Sequence, residues 1–121
     1  MPTEFLNGEI PVIQFDPRRE MSPFTLFRRL RDGAAPLLVD VRPLPGELTL
    51  RGATLWHAAF EPPGDRDTVL FDDDGQRALA LVEELHAAGH ARVRALFGGL
   101  ELYQFALDPQ VVGTETYLER S

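Results

Sequence analysis

Two short, unbroken apolar runs constrain this chain more than anything else in it. Leu37-Leu-Val-Asp-Val41 follows Pro36, and Thr68 to Phe71 follows a turn-rich stretch at Glu61-Pro-Pro-Gly-Asp65. An apolar run of this length suits a strand buried on both faces, as in a parallel sheet. Ala91 to Leu96 reads as the next strand and Ala53 to His57 as a further short one.

Between the strands lie segments of helical period. Ser22-Pro23 opens the first, since Ser is a favoured N-cap and Pro suits the first helical position. Phe24, Phe27 and Leu30 recur at helical spacing, and Gly33 is placed to close the helix. A second helix, Gly75 to Ala88, carries Ala78, Leu81, Val82 and Leu85 on one face, turns Glu83 and Glu84 outward and ends at Gly89. Gly98-Gly99 reads as a tight turn before a final helix, Leu100 to Leu107. Strands alternating with helices through short connections predict an α/β fold: a small parallel β-sheet flanked by helices on both faces.

The rest is expected to be irregular. Ile10 to Phe15 reads as a short strand, at an edge because of Pro11, and Arg42 to Gly52 as a Pro/Gly-rich loop. The 121 residues suit one domain, with 1–20 as an N-terminal extension or edge strand and 108–121 as a C-terminal tail.

Composition narrows the function classes. A hydrophobic fraction of 44% supports a packed core. No apolar run approaches the length of a membrane span, and MPTEFLNGEI lacks the basic and apolar regions of a secretory signal, so a cytoplasmic protein is expected. The net charge is −7, and all 12 bases are arginine, a bias expected of a GC-rich bacterial genome. The basic clusters are Arg18-Arg19 and Arg28-Arg29-Arg31. This balance argues against a nucleic-acid partner, because phosphate binding rests on Lys/Arg patches. There is no cysteine, which excludes disulfides, thiolate metal sites and a cysteine nucleophile.

The order of these landmarks resembles a rhodanese-homology domain over residues 20–107. Ser22-Pro23 with Leu26, Leu30 and Gly33 is similar to that family's opening helix, and Leu38-Val-Asp40-Val41-Arg42 to its strand ending in Asp-Val-Arg. Arg51-Gly52-Ala53 is similar to the tail of its His-hydrophobic-Pro-Gly-Ala segment, although Leu48-Thr49-Leu50 stand where the earlier part belongs. Leu85, Gly89-His90, Val93 and Leu96-Phe97-Gly98-Gly99, with Tyr103 beyond, are similar to its ending. The resemblance implies that Val69-Leu70-Phe71 runs into the active loop. Where the family carries Cys-x-x-G-x-R, this chain has Asp72-Asp73-Asp74-Gly75-Gln76-Arg77.

That replacement decides the expected chemistry. A strand–loop–helix junction gathers inward backbone N–H groups and the positive end of a helix. The resemblance implies a thiolate held there that carries sulfur as a persulfide, and a carboxylate cannot form or break an S–S bond. Asp72 is expected instead to accept the inward N–H groups as a built-in anion, with the charged form favoured, and to cap the helix start. Asp73 and Asp74 would repel anionic substrates, and Arg77 would be a local counter-charge. The resemblance also implies that Asp40 and Arg42 brace the fold beside the loop, and buried acids need such a partner.

The expected function is therefore a catalytically inactive rhodanese-like domain acting as a binding or regulatory module, with no cofactor, no metal and a possible protein partner. A self-associating domain without a ligand is a further reading. An alternative enzyme reading uses the same residues, since VLFDDDGQ also resembles the first motif of haloacid-dehalogenase-type phosphatases. There Asp72 would be the nucleophile and Asp74 the acid/base, with Mg²⁺ between them. Gln76 in place of Thr, the absence of lysine and the short remainder of the chain oppose it. The acids do not have EF-hand spacing, and His57, His86 and His90 lack the pattern of a zinc site.

Overall fold

The structure, a computed structural model, describes residues 14–44 and 46–120. Its elements are β1 (Glu20–Met21), α1 (Pro23–Arg31), β2 (Leu37–Asp40), β3 (Leu48–Leu50), β4 (Thr54–Leu55), β5 (Thr68–Phe71), α2 (Gln76–Ala87), β6 (Val93–Leu96), α3 (Gly99–Ala106), α4 (Pro109–Val112) and β7 (Leu118–Arg120). Five strands form one parallel sheet in the order β1-β6-β5-β2-β4. The fold is α/β, with helices on both faces.

Strand geometry explains the unbroken apolar runs. Successive side chains point to opposite faces, and here both faces are covered. Leu38, Val69, Phe71 and Leu96 enter one core with Leu26 and Phe27 of α1 and Leu100 and Tyr103 of α3. Val39, Val41, Leu70, Val93 and Ala95 enter the other with Ala78 and Val82 of α2. Register matches this division: Leu38 pairs with Val69 and Val39 with Leu70, each beside a neighbour that shares its face.

The Ser22 side chain caps α1 by accepting the Thr25 amide at 3.1 Å, and Gly33 follows the C-cap Asp32 with φ 78°. The buried stripe of α1 is Pro23, Leu26 and Phe27, whereas Phe24 is exposed, so the 24/27/30 spacing marks only part of the face. Gly75 adopts φ 91° and stands just before α2, which starts at Gln76.

Two expected irregular segments are ordered against each other. The loop expected over Arg42 to Gly52 contains β3, and the tail expected over 108–121 contains α4 and β7. β3 and β7 pair antiparallel, Leu48 with Arg120 and Leu50 with Leu118, which buries Leu50 completely. The expected strand at Ile10 to Phe15 falls largely outside the described residues, and Gln14 and Phe15 are in no strand. The edges of the five-stranded sheet are β1 and β4.

Candidate functional site

β2 and β5 run side by side, and both deliver their C-terminal ends to one place. Beyond β5 the chain enters Asp72 to Gly75 and then α2, the position where open α/β sheets gather their functional groups.

Asp72 sits at the centre of this turn and is 5% exposed. One carboxylate oxygen accepts the Gly75 amide at 2.7 Å, and the other accepts the Arg77 amide at 2.9 Å. Asp74 accepts the Gln76 amide at 3.0 Å. The first amides of α2, which no turn of helix can satisfy, are therefore met by acids of the loop. Sequence reasoning weighs only these amides and the helix field, and so expects the charged form of Asp72 to be favoured. The net effect is the reverse. Burial, the largest cause, pushes the carboxyl above its ordinary value; the amides of Gly75, Arg77 and Ala78 pull it down, and the charge of Asp74 adds to the upward push.

Arg42 links this loop to the sheet. Its Nε and Nη2 bind the two oxygens of Asp40 at 3.0 and 2.8 Å, while its own amide donates to Asp40 Oδ1 at 3.0 Å. Nη2 also donates to the Leu48 carbonyl at 2.8 Å, and Nη1 reaches Asp73 at 3.3 Å. Both members of the central pair are buried, so each supplies the partner the other requires. Hydrogen bonding to Asp40 is the largest influence on the guanidinium and pushes it above its ordinary value.

Arg77 has a different role from the one expected. Its backbone amide serves Asp72, but its Nε donates to the carbonyl of Val41, pinning α2 to the end of β2. Asp40, Arg42, Asp72, Asp73, Asp74, Gly75, Gln76 and Arg77 thus converge on one turn. The histidines do not join them: His86 donates to the Val93 carbonyl at 2.7 Å, and His57 packs edge-on against Phe60. The rings of Trp56 and Phe60 meet at a tilt with centroids 5.5 Å apart and pack against the α2 core. Among the described residues no three His, Cys, Asp or Glu side chains are grouped as metal ligands would be.

Two parts of the site were not anticipated from sequence. The turn at Gly98-Gly99 lies against the loop: the amides of Leu100 and Glu101 each donate at 2.9 Å, to the carbonyls of Asp72 and Asp73. A groove of about 710 Å³ also opens beside Asp74, lined by Leu79, Phe97, Leu102 and Phe105. The sequence signal for it is present in α3. Leu100, Tyr103 and Leu107 already form a complete buried stripe, so Leu102 and Phe105 are apolar residues off that stripe.

A strand ending in a tight loop at the mouth of a helix, beside a second strand ending in Asp-Val-Arg, defines a rhodanese-like fold. The crystal structure of reduced CoADR-RHD from Bacillus anthracis superposes with a TM-score of 0.55 at 21% identity, over 70% of this chain and 16% of that one. That of a rhodanese-related protein from Thermoplasma volcanium superposes with a TM-score of 0.53 at 14% identity, over 73% of this chain and 92% of that one. The chain therefore spans about a sixth of the first protein and nearly the whole of the second. No family model matches the chain, and no curated protein matches it.

Proposed function

We propose that this is a catalytically inactive rhodanese-like domain that serves as a binding or regulatory module in the cytoplasm. One observation carries the reading: both oxygens of Asp72 are occupied by amides of its own loop. A cradle of inward N–H groups that in a sulfur-carrying relative would hold a thiolate is here filled by a side chain of the protein. The absence of any cysteine agrees with this, because persulfide transfer needs a polarisable sulfur nucleophile.

The same observation weighs against the phosphatase alternative. An aspartate nucleophile must present a free oxygen to phosphorus, and a metal must reach it. Asp72 is buried with both oxygens engaged, and Asp74 is turned towards the Gln76 amide.

A thiosulfate:cyanide assay on the pure chain tests the reading. Turnover is expected at background; clear turnover would overturn it. Mg²⁺-dependent hydrolysis of a phosphomonoester, abolished by Asp72→Asn, would transfer the assignment to the alternative.

A further inference from the structure

We propose that the groove between the start of α2 and the outer face of α3 docks a basic, amphipathic protein segment, an aromatic or aliphatic anchor flanked by arginine or lysine. The proposal rests on the binding-module reading and adds to it the place and the chemistry of the partner.

The floor is apolar. Leu79 comes from α2, Phe97 from the turn just after β6, and Leu102 and Phe105 from the apolar positions of α3 off its buried stripe. Phe105 is 85% exposed. Isolated exposed apolar residues are ordinary, but several gathered in one concave surface mark a binding site. The volume of about 710 Å³ is enough for a small number of partner side chains.

The rim is acidic, with no counter-charge among the described residues that line it. Asp74 and Glu101 are exposed at the mouth, and no arginine lines the groove. Among the described residues no arginine forms an ion pair with either acid, whereas the neighbouring Asp73 is met by Arg42. Glu20, at the base, is buried and accepts the Asp16 amide at 2.9 Å, so it does not belong to the rim. A partner cation placed over Asp74 or Glu101 would sit beside apolar surface, where charge pairing fixes register and rejects acidic competitors. The protein as a whole, at −7, draws a basic partner towards itself.

The groove is also preformed. The amides of Leu100 and Glu101 tie the first turn of α3 to the loop, and Phe97 is held edge-on by Phe15 at 5.4 Å. Little conformational freedom is then lost on binding. A second copy of the chain is the rival occupant, because α1 exposes Phe24, Arg28 and Arg31 at helical spacing.

A displayed random-peptide library panned on the full chain tests this, with enriched peptides synthesised and titrated by fluorescence anisotropy. Enriched peptides should combine an apolar anchor with arginine or lysine. Phe105→Ser and Glu101→Arg should each weaken them about tenfold or more, and an acidic replacement in the peptide should recover binding to Glu101→Arg. Both substituted positions are exposed, and an unchanged thermal midpoint verifies the fold. Enriched peptides that ignore both substitutions would overturn the groove and leave the module reading standing. A library that enriches nothing would overturn both. Concentration-dependent self-association in sedimentation, abolished by Phe105→Ser and by Arg28→Glu, would assign the groove to a second copy and overturn the separate partner.

Discussion

A methyl group built on Gly99 would lie 2.5 Å from the carbonyl carbon and oxygen of Asp73. The first turn of α3 is packed onto the backbone of the acidic loop with no room for a side chain. Gly98 meets the same limit differently, since a Cβ there would meet the Leu102 side chain at 2.5 Å. The nearest atom there is the Leu102 Cβ, which the backbone of α3 fixes in place, so neither glycine has room for a side chain.

The contact sets up a comparison of glycines. Gly33 has φ 78° with nothing within 4 Å of its notional Cβ, and Gly99 has φ 66° with the Asp73 backbone in the way. Gly33→Ala should lose about 1–2 kcal/mol from the left-handed conformation alone. Gly99→Ala adds the collision and should lose about 3 kcal/mol or more. Urea unfolding of the two variants measures the difference; equal losses would mean that the loop yields freely.

Arg42 should be the least replaceable charged residue in the chain. Among the described residues it alone satisfies the side chain of Asp40, which is 2% exposed, while also holding the Leu48 carbonyl. Arg42→Gln leaves a buried carboxylate without its cation and should lose about 3–5 kcal/mol. Arg42→Lys keeps the charge but not the fork, and should recover only part of that loss. The third contact matters little: the Asp73 side chain is 64% exposed, so Asp73→Asn should change stability by less than about 1 kcal/mol. Thermal unfolding of the three variants gives the order, and an Arg42→Lys protein as stable as the parent would contradict it.

Two aspartates should give opposite pH signatures. Burial, with Asp74, raises Asp72 above its ordinary 3.8 despite the amides, so the folded state binds that proton more tightly than the unfolded state does. Its contribution is fully present below the unfolded value and declines as pH rises through the folded one. Asp67 is desolvated too, but Arg92 and Arg29 outweigh burial and lower it below 3.8. Its contribution is present above the unfolded value and is lost as pH falls through the folded one. Denaturation from pH 7 downward, comparing the parent with Asp72→Asn and Asp67→Asn, reads both. The parent's stability relative to Asp72→Asn should improve as the solution is acidified, and relative to Asp67→Asn it should worsen. Matching slopes would refute the assignment.

The parallel sheet was legible because its cause is local. A strand covered on both faces must be apolar at successive positions, and Leu37–Val41 and Thr68–Phe71 state this outright. The caps were legible for the same reason, Ser22 and Gly33 being residue types that their positions demand. What was missed is non-local. Leu48-Thr49-Leu50 is three residues long and carries no turn of its own, so its pairing with Leu118–Arg120 depends on a partner about seventy positions away. At the site, the sequence brings Asp72 to the helix mouth but does not show how deeply it is buried, and that depth reverses the balance expected for its charge. The side chain of Arg77 was misread because Val41, whose carbonyl takes its Nε, is remote in sequence.

Tyr103 is the residue through which that hidden pairing can be tested. Its ring is fully buried in the α1/α3 core, and its hydroxyl donates to the Thr116 carbonyl at 2.6 Å. Burial is the largest cause holding the phenol far above its ordinary value. Beyond Thr116, the Tyr117 carbonyl accepts the Arg51 amide at 2.8 Å, and β7 then pairs with β3. The hydroxyl is thus a fastening between the core and the segment that covers Leu50. Tyr103→Phe keeps the ring and leaves one buried carbonyl short of a donor, for an expected loss of about 1–2 kcal/mol. The loss should be local: amide exchange at Arg51 and in β3 and β7 should accelerate, while exchange in β2, β5 and β6 should change only with global stability. Uniform acceleration across all strands would mean that the 113–120 segment is part of the main cooperative unit and not a clasp laid over it.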